Sequence, residues 1–111
     1  MSQYFDAQIV NESGGVVTVK VGFGLPETNQ VIVPEAIAAL AALNLKGGHG
    51  ICFTGPVSIP AAMALAHAVA HLFGFVACRD PKLSAYVVAI SHDPAYKPGQ
   101  LLFEDQDSHF S

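Results

Sequence analysis

The sequence predicts a single small α/β domain in which two helices pack on one mostly internal β-sheet. Three observations predict this class. The chain has 111 residues, which is enough for one hydrophobic core but not for two. Its apolar segments follow the order β-β-α-β-α-β-β-β. The central strand candidates are continuously apolar, which is typical of strands that are covered on both faces.

The first two strand candidates are predicted to form a hairpin. Residues 5–10 are followed by the turn sequence NESGG, whose glycines supply positive φ angles. Residues 16–23 then alternate between valine and polar or small residues. This alternation is expected of a half-buried strand.

Two helices follow, separated by a short buried strand. The first is predicted to begin at Pro34, because proline is favoured in a first helical turn, and to run over residues 36–45. Residues 50–53 form the strand, and residues 54–58 form a tight loop at its carboxyl end. The second helix is predicted to run from Pro60 to about Phe73 and to stop at Gly74.

Three more strands complete the pattern, at residues 75–78, 85–90 and 101–103. The acidic tail, residues 104–111, is predicted to be frayed or solvated. The domain is therefore expected to comprise residues 1–103.

Composition limits the classes of function. Hydrophobic residues make up 51% of the chain and charged residues 13%, so we expect part of the apolar surface to be buried in a homo-oligomer. The net charge of −4 argues against nonspecific binding to DNA or long RNA. No apolar run approaches the roughly 20 residues of a membrane span, and no signal peptide is evident. Cys52 and Cys78 are expected to be small buried residues in a reducing cytoplasm.

Two histidines lie one helical turn apart in the second predicted helix. His67 and His71 are spaced i and i+4, so both rings are expected on one helix face. Such a pair is compatible with metal binding or acid–base chemistry. Two partly buried or interface histidines explain the same pattern, and this simpler interpretation is favoured when the pair is taken alone.

Two further candidates stand where strands are predicted to end. Asp80 lies between Arg79 and an Asp-Pro turn that continues to Lys82, and His92 ends the next strand. Open α/β sheets bind ligands at the carboxyl ends of their strands. If the strands are neighbours, loop 54–58, Asp80 and His92 are expected at one edge. An ordinary Asp-Pro turn and a solvent-exposed histidine are the alternatives.

The loop at residues 54–58 offers backbone amides and two hydroxyls, from Thr54 and Ser58, at a helix N-terminus. A phosphate can bind there, although a plain strand-to-helix turn is the favoured explanation when the loop is taken alone. The chain contains neither GxxxxGKS/T nor GxGxxG, so a P-loop ATPase or a dinucleotide-binding domain is not supported. No GxSxG motif is present, and neither cysteine has the features of an activated nucleophile.

The segments TGPVSIPAAMALAHAVAH, RDPKLSAYVVAISH and DPAYKPG together resemble the third family of CRISPR-associated ring nucleases, which belongs to type III systems of prokaryotes. The resemblance covers about residues 50–102. It implies a compact α/β domain that forms homodimers in the cytoplasm, two of which can sandwich one ring of cyclic tetra-adenylate. It also implies manganese-dependent cleavage of this second messenger, which switches off antiviral signalling.

The resemblance implies roles for individual residues. His71, Asp80 and His92 match the family's catalytic positions, and Asp80 and His92 are expected to hold or position the manganese ion. Lys82 stands where some members have arginine, which keeps the charge but loses the bidentate contact to phosphate. The residues expected to contact the ligand are Thr54, Gly55, Ser58, His67 and Lys82.

Three other functions remain open at this point. The chain could bind and sequester the ring without cleaving it. It could be a manganese-dependent RNA 3′ exonuclease, against which the acidic net charge argues. It could also be an oligomeric structural domain whose histidines have no chemical role.

Overall fold

The computed structural model describes residues 3–103; the predicted acidic tail lies outside this range. The described residues form six strands and two helices, in the order that the sequence predicts. The strands are β1 (Phe5–Ser13), β2 (Val16–Phe23), β3 (Gly48–Thr54), β4 (Phe73–Asp80), β5 (Ala85–Ser91) and β6 (Leu101–Leu102), and the helices are α1 (Asn29–Ala41) and α2 (Ile59–Val69).

All six strands belong to one sheet, in which they lie in sequence order. β2, β3 and β4 are parallel to one another, whereas the outer pairs β1–β2, β4–β5 and β5–β6 are antiparallel. α1 and α2 connect the parallel strands and contact each other, which puts both on one face of the sheet. This arrangement confirms the predicted α/β class, including the hairpin.

The main core lies between the helices and the sheet. Each helix buries a stripe of residues spaced by four, which is one helix face. These are Ile32, Ala36 and Leu40 in α1 and Ala61, Leu65 and Val69 in α2.

A second, smaller cluster lies on the face of the sheet that carries no helix among residues 3–103. Cys52, Phe75 and Tyr86 are almost completely buried there. Tyr96, from the loop between β5 and β6, packs on Phe75 with ring centroids 4.3 Å apart. Because β3 and β4 are covered on both faces, their sequences are apolar without alternation.

The helix ends differ from those predicted. α1 begins at Asn29 after the N-cap Thr28, so Pro34 lies inside the helix and not at its start. α1 ends at Ala41, and Asn44, whose φ is 58°, leads the chain towards β3. α2 ends at Val69 because Phe73, which was expected in the helix, already pairs with β3 as the first residue of β4.

No helix within residues 3–103 combines the length and the apolar character that crossing a bilayer requires.

Candidate functional site

The strand directions separate the candidate residues into two groups at opposite ends of the sheet. The carboxyl ends of β2, β3 and β4 lie at one end, together with the start of β5. The end of β5 lies at the other end, beside the start of β4. We call the first the cationic end (Lys20, Thr54, Arg79, Asp80 and Lys82) and the second the histidine end (His71 and His92).

Two of the predicted histidines are neighbours at the histidine end. The ring centroids of His71 and His92 are 6.2 Å apart, and the ring planes differ by only 12°. Both residues are exposed. The backbone N–H of His92 donates to the carbonyl oxygen of Gly74 at 2.7 Å, which holds His92 beside the turn that carries His71. Two exposed, nearly parallel imidazoles can transfer protons to and from one ligand.

His67 is related to His71 differently from what the sequence predicts. Because α2 ends at Val69, His71 lies in the turn beyond the helix, so the two histidines do not belong to one helix as the sequence predicts. His67 is exposed in the last helical turn. A basic side chain in the last turn is a common feature of helix C-termini, which is a structural reason for this residue.

Ser91, which precedes His92, makes its hydrogen bonds to backbone atoms and not to the imidazole. Its Oγ lies 2.9 Å from the carbonyl oxygen of Asp93 and 2.7 Å from that of Tyr96, and it accepts from the backbone N–H of Asp93 at 3.1 Å. The serine therefore closes the loop after β5. It shapes the backbone next to His92 without contacting the imidazole.

Asp80 ends β4 at the cationic end and closes the turn to β5. Its Oδ1 accepts a hydrogen bond from the backbone N–H of Lys82 at 2.9 Å, which is the contact of an Asx turn. The simpler alternative from the sequence is therefore present, and it uses one of the two carboxylate oxygens. Lys82 itself is exposed in the turn.

Lys20 is a residue of this end that sequence reasoning missed. It is paired in register with Thr54 of β3. Thr54 is in turn level with Arg79, since the preceding residues Phe53 and Cys78 are partners. Residues in register project from the same face of a sheet, so Lys20, Thr54 and Arg79 form a row on the face without helices.

Both signs of charge are present at this end, where the carboxylates of Asp6 and Asp80 lie beside the cations. Lys20, Arg79 and Lys82 are three of the five lysine and arginine residues in the chain. Alternation within β2 already predicted that Lys20 faces away from the valines, and this was the only feature of the sequence that pointed to Lys20. Its proximity to Thr54 required the strand order, which the sequence did not state.

In the loop at residues 54–58, the fold itself explains why two of the positions are occupied by glycine and serine. Gly55 has a φ of 113°, and a Cβ there would overlap the carbonyl oxygen of Val21. Ser58 is the N-cap of α2: its Oγ accepts from the backbone N–H of Ala61 at 3.3 Å and donates to Oδ1 of Asn29 at 2.7 Å. The plain strand-to-helix turn is thus present in the structure.

The expectation that loop 54–58, Asp80 and His92 gather at one edge is wrong for His92. Asp80 pairs with Ala85, whereas His92 bonds to Gly74, six residues earlier in β4. At about 3.3 Å per residue, the two positions are roughly 20 Å apart. Ligand atoms lie within about 2.6 Å of a metal ion, so Asp80 and His92 of the same chain cannot share one.

The described residues of one chain do not form a cluster of three or more metal-ligating side chains (His, Cys, Asp or Glu). The histidine end offers two nitrogen donors, and the cationic end offers the carboxylate of Asp80. Manganese favours several oxygen ligands, which neither end provides by itself.

The cysteines give no nucleophile. Cys52 is buried as predicted, but Cys78 is exposed as a residue, which corrects the expectation that it is buried. Burial of its sulfur nevertheless raises the pKa of the Cys78 thiol above its ordinary value of 9.0. The thiol is therefore protonated near neutral pH, and a protonated thiol is a weak nucleophile.

Comparison with models of known protein families identifies the family of this chain. The model described as CRISPR-associated protein (Cas_csx3) matches residues 25–103, which is more than half of the chain. The match includes the candidate residues from Thr54 to His92 and does not include the β1–β2 hairpin. A search among curated proteins gave no significant match. On the basis of the family match, this chain belongs to the CRISPR-associated Cas_csx3 family.

Proposed function

We propose that this protein is a phosphodiesterase that cleaves cyclic tetra-adenylate and thereby ends type III CRISPR signalling. The observation that carries the proposal is the pair of exposed, nearly parallel imidazoles of His71 and His92. The cations at the other end of the sheet supply a surface for phosphate. Family membership supports a CRISPR-linked role, and the substrate and reaction are those that the resemblance to the ring nucleases implies.

The imidazole pair is suited to both proton transfers of phosphodiester cleavage. One neutral imidazole accepts the proton of the attacking oxygen while that oxygen forms its bond to phosphorus. The other, protonated imidazole donates a proton to the leaving oxygen as its bond to phosphorus breaks. Histidine can take either part near neutral pH, and each positioned acid or base typically contributes about 100-fold or more.

The two ends of the sheet fit a ligand that is held between copies of the chain. A ring bound to Lys20, Arg79 and Lys82 of one copy is too far from that copy's own histidine end. It meets the histidine end of a second copy when dimers stack with the ring between them. A symmetric ring presents equivalent phosphates to both copies, which suits a symmetric homo-oligomer.

Manganese belongs to the same proposal as a cofactor bound between copies. The family resemblance implies that Asp80 and His92 hold or position the ion. Because His92 transfers a proton in this proposal, Asp80 of one copy would hold the ion, and His92 of another copy would lie beside it without being a ligand. When bound, the ion supplies charge neutralisation at the phosphate.

The experiment is incubation of the purified protein with cyclic tetra-adenylate, with manganese or with a chelator, followed by chromatography. Linear fragments are expected with manganese and not with the chelator. In His92→Gln we expect the rate to fall about 100-fold or more, because the acid–base pair is broken. His49→Gln is the matched control, since His49 is an exposed histidine near the same end of the sheet and outside the pair; its rate should not change.

The other outcomes separate the alternatives. An intact ring that elutes with the protein would identify a sequestering module. Shortening of linear RNA from its 3′ end, with the ring left intact, would identify an exonuclease. A ring that is neither bound nor cleaved would refute the proposal altogether.

A further inference from the structure

A cavity of about 320 Å³ opens at the histidine end of the sheet. It lies between the β1–β2 hairpin and the connection from α1 to β3, and none of the catalytic, metal or ligand-binding candidates from the sequence lines it. Its volume is at the lower end of the range for small-molecule sites, about 300–1,000 Å³. The hairpin wall lies outside the residues that match the family model, so family membership does not imply this cavity.

The floor of the cavity is apolar. Val17 and Phe73 contribute buried side chains, and Leu45 contributes a half-buried one. A flat apolar group is favoured on such a surface because its contact removes apolar area from water.

The rim carries donors and acceptors of hydrogen bonds. Glu12 and Ser13 lie on the hairpin side, and Asn44 and Lys46 lie on the side of the α1–β3 connection. All but Ser13 are exposed. The ligand that fits this combination has a flat apolar body with both donor and acceptor groups on its edge.

We propose that the cavity binds an adenine base. An asparagine amide can form two hydrogen bonds with adenine. Its carbonyl oxygen accepts from the N6 amino group, and its NH₂ group donates to N7. Asn44 supplies this amide, and the carboxylate of Glu12 supplies a further acceptor for the amino group. The choice of adenine rests on the proposed function, since the ring carries no other base.

The cavity lies close to the imidazole pair, because His71 is only two residues from a residue that lines the cavity. Gly48 donates its N–H to the carbonyl oxygen of Leu72 at 3.1 Å, and Leu72 follows His71 directly. Phe73, which lines the cavity, is two residues from His71, so their Cα atoms are no more than about 7 Å apart. A nucleotide whose base occupies the cavity can therefore place its phosphate within reach of the histidine end.

The test is titration with adenosine and guanosine, without manganese, followed by backbone amide chemical shifts. Saturable shifts are expected with adenosine at residues around the cavity. Binding of guanosine is expected to be about ten-fold weaker, because its O6 acceptor faces acceptor groups where adenine has an amino donor.

Asn44→Gly is the informative variant. Asn44 has a φ of 58°, which glycine adopts without strain, so the change removes the amide and keeps the backbone. We expect about ten-fold weaker adenosine binding. Ser84→Gly is the matched control, since Ser84 also has a positive φ, 49°, and lies in the β4–β5 turn at the opposite end of the sheet. Its affinity should be unchanged.

A second variant tests the site by its volume. Ile9 lines the cavity and is 38% exposed, so Ile9→Trp can fill the opening without disturbing the core. It is expected to abolish adenosine binding. Undiminished binding in both variants, or no saturable binding by the unaltered protein, would overturn the inference.

This test is separate from the test of the nuclease. Adenosine binding without cleavage of the ring would leave the cavity site standing and refute the nuclease. Cleavage of the ring without adenosine binding would refute the cavity site alone.

Discussion

Gly50 leaves space for the ring of Phe75 in the middle of the sheet. A Cβ at residue 50 would overlap ring carbons of Phe75, which is 1% exposed and packs on Tyr96. We predict that Gly50→Ala lowers the free energy of unfolding by about 1–3 kcal/mol, because the ring must leave its position in a packed core. Urea denaturation measures this loss.

Gly22→Ala is the control for that change. Gly22 also lies in a strand, β2, but a Cβ there would meet nothing within 4 Å. Its stability should stay the same or rise slightly, since alanine reduces the entropy of the unfolded chain. Equal losses in the two variants would show that overlap with Phe75 is not the cause.

In the imidazole pair, His92 is held in place by contacts of its backbone and not of its side chain. His92 is placed by its own N–H, bonded to Gly74, and by the loop that Ser91 closes. Neither contact uses the imidazole. The ring therefore remains available for chemistry, and substitutions of the side chain alone test function rather than folding.

Among the elements, α2 depends on Ser58 for its first turn. The Oγ of Ser58 accepts from Ala61 and also bonds to Asn29 at the start of α1, so one hydroxyl joins the two helix N-termini. We predict that Ser58→Ala lowers the free energy of unfolding by about 1 kcal/mol, the usual cost of losing an N-cap. Thermal or urea denaturation measures it.

Ser58→Asp separates the cap from any contact with the ligand. Aspartate caps helices as well as serine does. Its carboxylate cannot donate to Oδ1 of Asn29, but rotation of the Asn29 amide lets the NH₂ group donate to the carboxylate, so stability should be retained. Its charge repels phosphate, so binding of cyclic tetra-adenylate should weaken if the loop contacts the ring. Unchanged affinity in Ser58→Asp would mean that Ser58 serves only the helix.

Element order could be predicted from the sequence, because strands and helices here have clear apolar patterns and short turns. The end of α2 could not, since the alanine-rich segment before Phe73 favours helix and only pairing with Gly48 places Phe73 in a strand. The position of His92 was predictable in principle. The turn between Asp80 and Ala85 has four residues, whereas a parallel connection needs about a dozen or more.

Lys20 and the cavity illustrate what the sequence could not supply. Both depend on contacts between segments far apart in the chain: β2 beside β3 for Lys20, and the hairpin beside the α1–β3 connection for the cavity. The identities of Asp80, His71 and His92 as candidates came from local patterns. Their division between two ends came only from the strand directions.

For the molecule as a whole, the histidine end and the cationic end of one chain are too far apart to act on the same phosphate. The proposed site therefore takes one end from each of two copies. Asp80 and His92 of one chain are roughly 20 Å apart along β4, yet the proposed reaction uses both. The contact between copies therefore completes the proposed site. A copy that lacks one residue should then be rescued by a copy that lacks the other.

We predict this rescue for a co-expressed mixture of Asp80→Asn and His92→Gln, purified through two different tags. Asparagine keeps the Asx-turn acceptor, so each variant should fold and be inactive alone. Because both tags select assemblies that contain both variants, an intact Asp80 meets an intact His92 at about half of the shared sites in a dimer and at roughly a quarter of those in a tetramer. Cleavage of cyclic tetra-adenylate should recover to the corresponding fraction. A mixture of His71→Gln and His92→Gln is the control, because these residues share one end and no combination of copies restores the pair. Recovery in the control, or none in the first mixture, would contradict a site that is shared between copies.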